Sequence, residues 1–116
     1  MKEPTCSVKP ALQERPLLTL QQSVKLSDLF KVLANDTRLR LLHALARAGE
    51  LRVTDMAALL GMKPQAVSNQ LQRLTDQGIL QSRREGTQIF YTIVDPCVTV
   101  LLDRGLCLVE DREVLS

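Results

Sequence analysis

The feature that most constrains the fold is a pair of short helical segments joined at Gly61. An acid in its first turn suits residues 55–60 to a helix, and Thr54 is the expected N-cap. Pro64 is well tolerated in a first helical turn, so a second segment is expected over 64–77. Ala57 is small enough for two helices to cross closely there, and Gly61 can take a left-handed backbone. This spacing is typical of a helix-turn-helix, although an ordinary helical hairpin would share it.

Two longer helices are expected before this pair. Apolar residues recur at helical spacing over 18–34, and Asn35-Asp36 supplies a break and a new N-cap for a helix over 36–48. The inward residues of that second helix are expected to be Leu39, Leu42, Leu45 and Ala46. A short extended piece, 51–53, follows.

The residues after the pair alternate like a hairpin. Residues 79–94 are β-prone at both ends, and Arg83 and Arg84 are expected at the hairpin tip. Asp95-Pro96 caps a last helix that reaches roughly Glu110. The predicted fold is therefore mainly α, an α+β winged helix-turn-helix with five to six helices and a two-stranded β-hairpin wing.

Composition limits the class of protein. The 116 residues are enough for one domain, and 45% hydrophobic with 24% charged residues is a globular balance. Pro4, Pro10 and Pro16 block continuous helix, so we expect a flexible arm over 1–17 and the folded domain over 18–116. No apolar run approaches the roughly 18 residues that span a bilayer, and no signal-peptide core opens the chain. We expect a cytoplasmic protein without a membrane partner.

The second helix of the pair carries the chemistry of a nucleic-acid reader. Its polar face is rich in amides and hydroxyls and almost without acid, whereas an ordinary solvated face more often pairs Glu with Lys. Two arginines of the hairpin add positive charge that can meet phosphate. The net charge of the whole chain is only +2, so a basic footprint must be local. The predicted DNA-binding residues are Lys63, Gln65, Ser68, Asn69, Gln70, Arg73, Arg83 and Arg84.

Several stretches in the right order resemble one family. They are VLANDTRLRLL from the end of the first helix into the second, VSNQLQRL in the second helix of the pair and REGTQIFYTI across the wing. On these stretches the chain resembles the ArsR/SmtB family of metal-responsive repressors. The resemblance implies a homodimer formed by the first and last helices. It also implies binding to double-stranded operator DNA without effector, and release when the effector binds.

The family's effector sites are only partly matched. The positions of a Cys-x-Cys pair before the helix-turn-helix hold Arg52 and Thr54, so no thiolate is available there. A second family site uses carboxylates and histidines at the two ends of the last helix. The corresponding residues are Asp95, Cys97, Cys107 and Glu110, with cysteine in place of both histidines and a span shorter by one residue.

In a dimer, these residues would form two symmetric ion sites, each with ligands from both subunits. Ten helical residues cover about 15 Å, so Cys97 and Cys107 of one chain cannot share an ion. If the last helices pair antiparallel, Cys97 falls near the partner's Cys107. Thiolates favour soft ions, so the expected effectors are mercury(II), arsenic(III), cadmium or lead rather than zinc. Cys6 on the arm is a candidate third thiolate.

Other interpretations stay open at this point. The cysteines could fill a core, or Cys97 and the partner's Cys107 could form a redox-sensing disulfide. A winged-helix module that binds protein instead of DNA is a further alternative. The chain shows no Ser-His-Asp arrangement, no paired catalytic carboxylates and no phosphate-binding glycine loop, so we do not expect an enzyme.

Overall fold

The computed structural model describes residues 9–115 and contains five α-helices and three β-strands in those residues. Residues 1–8 of the predicted arm, with Cys6, lie outside the described residues. Residues 9–19 are exposed and hold one turn of 3-10 helix, Leu12–Glu14. The elements in chain order are α1 (Leu20–Leu33), α2 (Asp36–Ala48), β1 (Leu51–Arg52), α3 (Val53–Leu60), α4 (Pro64–Asp76), β2 (Leu80–Glu85), β3 (Gln88–Ile93) and α5 (Pro96–Leu115).

The first two helices begin at side-chain caps. The hydroxyl of Thr19 accepts the backbone N–H of Gln22, and the Gln22 side chain accepts the backbone N–H of Thr19 in return. This reciprocal cap starts α1 at Leu20, two residues later than expected. The predicted bounds of α2 are confirmed, and Asn35 caps it by accepting the backbone N–H of Arg38 at 3.0 Å.

The expected start of α3 and the expected end of α5 are both wrong. Thr54 is not the N-cap of α3, because the carboxylate of Asp55 accepts both the backbone N–H and the guanidinium of Arg52. These bonds stabilise a helix that begins at Val53. The helix α5 continues past Glu110 to Leu115, since neither glycine nor proline follows Gly105 to stop it.

The two-stranded wing is confirmed, and the short extended piece expected over 51–53 joins it as a third strand. The strand order is β1-β3-β2, with both pairs antiparallel. Leu51 pairs with Tyr91 and so adds β1 to the edge of the hairpin. The sequence predicted the extended conformation of this segment but not its pairing partner. The hairpin thereby becomes anchored to the segment between α2 and α3.

The core is aliphatic, with Tyr91 as its one buried aromatic residue within the described part of the chain. It joins α2, α3, α4 and the base of the sheet. In α2 the inward face is one step out of phase with the expectation. Leu42 and Leu45 are buried as predicted, but Leu39 and Ala46 are exposed. The buried hydrophobic residues are Leu33, Leu41, Leu42, Leu45, Met56, Ala57, Val67, Leu71, Leu74, Ile79, Leu80 and Tyr91.

Two helices keep apolar faces that one chain does not cover. Only Leu33 of α1 is fully buried, and every described side chain of α5 beyond Leu102 is exposed. The exposed apolar residues of these helices are Leu20, Val24, Leu26, Phe30, Leu106, Leu108, Val109 and Val114. Apolar faces of this extent usually mark a protein interface.

Among residues 9–115, no helix is both long enough and apolar enough to cross a membrane.

A substitution at Gly61 tests whether the turn between α3 and α4 needs a left-handed backbone. Gly61 has φ of 65° and ψ of 38°, so we expect Gly61→Ala to destabilise the protein by about 1 kcal/mol through left-handed backbone strain. An added Cβ would meet no atom within 4 Å, so steric collision is not the cause. Urea unfolding at one fixed protein concentration measures the change. Gly61→Asn is the matched control, because asparagine tolerates this backbone better than alanine. Equal stability of Gly61→Ala and the wild type would contradict the strain.

Candidate functional site

The pair α3 and α4 is built as the sequence predicts. Ala57 is buried where the helices meet, and its carbonyl accepts the N–H of Met62 across the turn at 3.0 Å. Val67 and Leu71 are fully buried and hold α4 against the rest of the domain. The opposite face of α4 must therefore lie in solvent. This geometry is a helix-turn-helix, and α4 occupies the place of its recognition helix.

The predicted reading residues of α4 differ in exposure. Lys63, Gln65, Asn69 and Arg73 are exposed, while Ser68 and Gln70 are half-buried. The amide of Gln65 donates to the side-chain oxygen of Asn69 at 3.0 Å, one turn along the helix. Exposed amides one turn apart can present donors and acceptors to the edges of bases. The structure thus brings most of the predicted set onto one face of one helix.

Gln70 has an internal partner that sequence reasoning missed. The Nε of Arg38 donates to the side-chain oxygen of Gln70 at 2.8 Å. A second guanidinium nitrogen of Arg38 donates to the carbonyl of Val32 at 2.9 Å. Arg38 follows the N-cap of α2 at the position of an ordinary exposed arginine, so only the three-dimensional fold could reveal this contact.

The two wing arginines do not lie at the hairpin tip. Glu85 pairs with Gln88, so the turn consists of Gly86 and Thr87, with Gly86 at φ 64°. A two-residue turn with glycine first is typical of tight hairpins, and the two arginines are thereby placed within β2. The sequence expectation was wrong because it read a longer loop.

Neighbouring residues of a strand point to opposite faces, so Arg83 and Arg84 have different surroundings. Arg84 shares a face with Leu80, whose side chain is buried against the helices, and continues that face toward the end of the wing. Arg84 itself is exposed. It therefore offers its charge on the side of the wing that packs on the helical body.

Arg83 is held by other parts of the protein. Its guanidinium contacts carboxylate oxygens of Glu50 and Glu85, each at 2.6 Å, and lies 4.5 Å from the centre of the Phe90 ring. The hydrogen bond from Arg83 holds the pKa of the Glu50 carboxyl below its usual value. Since Glu50 precedes β1, this network ties the wing to the end of α2. The residues are too far apart in sequence for local pattern to predict it.

The four predicted ligands are spread along α5, with Asp95 just before the helix, Cys97 in its first turn, and Cys107 and Glu110 in its outer half. Cys107 is free and exposed on the outer half, as is Glu110, whereas Cys97 is half-buried in the first turn and disulfide-bonded. The carboxylate of Asp95 accepts the backbone N–H of Cys97 at 2.8 Å, so Asp95 caps the helix. Ten helical residues separate the two cysteines by about 15 Å, so one chain does not bring them together.

A further carboxylate lies beside the outer cysteine. The Sγ of Cys107 lies 3.9 Å from Oδ2 of Asp111, one turn along α5. Sequence reasoning missed Asp111 because it followed a spacing that ends at Glu110. Within residues 9–115 of one chain, no three Cys, His, Asp or Glu side chains form a group that could hold a metal ion. An ion at these cysteines would need ligands from a second chain or from the segment before residue 9.

Known proteins share this fold and these stretches. A family model described as MarR family matches residues 35–88. The transcriptional repressor SmtB homolog of Synechocystis sp. is 36% identical over 94 residues, which are 80% of this chain and 70% of the relative.

Two solved structures are also similar. The AntR antimony-specific transcriptional repressor is 63% identical at a TM-score of 0.79, covering 94% of this chain and 98% of that one. The homodimeric winged helix-turn-helix DNA-binding domain Mb0332 of Mycobacterium bovis, a possible ArsR-family regulator, is 28% identical at a TM-score of 0.73 and covers 88% and 96%. With this fold and this agreement along the chain, the protein is a DNA-binding transcriptional repressor of the ArsR/SmtB family and not an enzyme.

Proposed function

We propose that this chain forms a homodimer that represses at a palindromic operator and leaves it when a thiophilic ion binds the cysteines of α5. The observation that carries the proposal is the position of these cysteines. Cys97 and Cys107 lie on the helix whose outer half is uncovered in one chain. A ligand that bridges two such helices changes the relative orientation of the two subunits.

On the DNA side, α4 enters the major groove with its amide face. Gln65, Ser68 and Asn69 are the proposed base-reading residues, and Lys63 and Arg73 the proposed phosphate contacts. Arg84 adds a phosphate contact from the wing. Arg83, first expected to share that role, is already paired with Glu50 and Glu85, so we assign it to holding the wing in place.

The proposed dimer interface consists of the uncovered faces of α1 and α5. Leu26 and Phe30 line a shallow open groove on α1, and Leu106 and Val109 are exposed on α5. Burying them in a second copy removes apolar surface from water, which is the dominant favourable term in association. A two-fold axis also presents two copies of α4 to successive grooves of a palindrome.

Antimony(III) joins the effectors expected from the cysteines, and we propose it as the first candidate. It is a soft, thiophilic ion like arsenic(III), and two cysteines in place of histidines favour such ions over zinc. The similarity to an antimony-specific repressor over nearly the whole of both chains supports this choice. Mercury(II), arsenic(III), cadmium and lead remain candidates on the same chemistry. Cys107 supplies one thiolate, and the partner's Cys97 supplies a second once its disulfide is reduced. Asp111, Glu110 and Cys6 are candidate additional ligands.

Release requires that the ion favour the arrangement that does not fit DNA. By linkage, operator DNA must then weaken ion binding by the same factor. The ratio of ion affinities with and without DNA must therefore equal the ratio of DNA affinities with and without the ion.

The dimer is tested by charge substitution. We expect Val24→Glu and Leu106→Glu each to raise the dimer dissociation constant at least about a hundredfold, because each places an unpaired charge in an apolar interface. Analytical ultracentrifugation measures it. Leu59→Glu, an exposed apolar position at the end of α3, is the matched control and should leave the dimer intact. A wild-type protein that sediments as a monomer at micromolar concentration would disprove the interface.

The wing is tested by salt dependence. Arg84→Gln should lower the slope of log affinity against log salt concentration by about one, because one phosphate contact is lost. Arg83→Gln is the neighbouring comparison and should leave the slope unchanged while weakening binding to all duplexes alike. Fluorescence anisotropy with a labelled operator gives both values. The reverse result, with the slope changed only by Arg83→Gln, would return the phosphate contact to Arg83.

The effector is tested on the same labelled duplex, with a phosphine as the reductant and no added thiol. We expect antimony(III), supplied as antimonyl tartrate, to weaken operator binding about tenfold or more. Cys97→Ser and Cys107→Ser should each abolish this response without abolishing DNA binding. Zinc is the control ion and should have little effect.

Three outcomes would contradict the proposal in different ways. Release that survives in both cysteine variants would place the effector elsewhere. Release by peroxide alone, reversed by reductant, would favour the intersubunit disulfide. A folded dimer that retains no duplex DNA would favour a protein-interaction module.

A further inference from the structure

Arg38 is the one charged side chain that is buried among the described residues, with 9% of its surface exposed. A buried charge is costly unless its hydrogen-bonding capacity is satisfied. The ion pairs of residues 9–115 involve Arg52 and Arg83 and leave Arg38 out. Its identified side-chain partners are neutral oxygens instead. A cation kept in such a place points to a role in geometry rather than in stability.

The contacts of Arg38 join three helices. The residue belongs to α2, where its backbone N–H is bound by the Asn35 cap. Its guanidinium donates to the carbonyl of Val32 near the end of α1 at 2.9 Å and to the side chain of Gln70 in α4 at 2.8 Å. One planar group thus spans from the helix proposed for dimerisation to the helix proposed for reading DNA.

The chemistry of this contact fixes the Gln70 amide. A guanidinium has only donors, so Gln70 must turn its carbonyl oxygen inward. The two-bond reading of adenine requires both the oxygen and the nitrogen of an amide to face the base. The oxygen of Gln70 accepts a hydrogen bond from Arg38 and therefore faces α2 and not a base. Its half-buried position, beside the buried Leu71, agrees with an inward role.

We propose that Gln70 is a positioning residue and not a base reader, and that the Arg38–Gln70 contact sets the angle of α4 relative to α1. This inference rests on the proposed function, because it assumes that two copies of α4 bind one operator. In a dimer built on α1, the angle of α4 fixes the distance between the two reading helices. The contact therefore determines which spacing of operator half-sites the dimer accepts.

The experiment compares operators of altered spacing. A duplex selected by the wild-type protein from a random pool is lengthened or shortened by one base pair between its half-sites. We expect Arg38→Met and Gln70→Ala each to reduce the discrimination between correct and altered spacing by about fivefold. The double variant should lose no more than either single one. A role confined to fold stability would not change this ratio in a protein that remains folded, which circular dichroism verifies.

Two further variants separate positioning from reading. Gln70→Glu keeps an oxygen that accepts from Arg38, so it should retain the spacing discrimination that Gln70→Ala loses. Asn69→Ala, at a proposed reading residue, should relax discrimination at one base pair while spacing discrimination stays intact. Gln70→Ala should show the opposite pattern.

The outcomes can be told apart. Loss of discrimination at a single base pair in Gln70→Ala, with spacing discrimination unchanged, would overturn the positioning role and leave the proposed repressor standing. Strict additivity of the Arg38 and Gln70 variants would also overturn it, since the two residues would then act separately. If the wild-type protein selects no duplex, the proposed function itself fails and this inference fails with it.

Discussion

The packing of one face of α4 determines most of what this protein presents to solvent. Val67, Leu71 and Leu74 are fully buried against α2 and α3, and their spacing leaves no freedom in how the helix is rotated. The amides and cations of the other face are exposed as a result. The left-handed turn at Gly61 and the small side chain of Ala57 serve the same end, because they let α3 and α4 approach closely enough to share that core.

Three arginines show how one residue type takes different roles through its surroundings. Arg38 is buried and bound to neutral oxygens, Arg83 is paired with two carboxylates, and Arg84 is exposed. In the sequence all three are ordinary basic residues. The difference between the adjacent Arg83 and Arg84 arises from strand alternation alone, which directs one side chain to Glu50 and the other to the opposite face.

Local signals were sufficient for most of the fold. The caps and glycines predicted α2 and the turn at Gly61, and apolar spacing predicted the burial of Leu42 and Leu45. The misses have physical causes. The pairing of the predicted extended segment β1 with β3 joins residues forty apart in sequence, and the side-chain cap of α3 depends on an ion pair at Asp55. The exposed polar face of α4 could be predicted from residue types, but the contacts of Gln70 with Arg38 and of Arg83 with Glu50 could not, because these partners are 32 and 33 residues distant.

The length of α5 has a consequence for the concentrations at which the protein works. The helix extends about 30 Å, and the side chains described beyond Leu102 are exposed in one chain. If Cys97 of one chain and Cys107 of the other bind the same ion, that ion also holds the two chains together. By mass action, dilution would then weaken ion binding together with DNA binding, and a bound ion would protect the pair of subunits against dissociation. The abundance of the repressor in the cell would thus set its sensitivity to the ion as well as its occupancy of DNA.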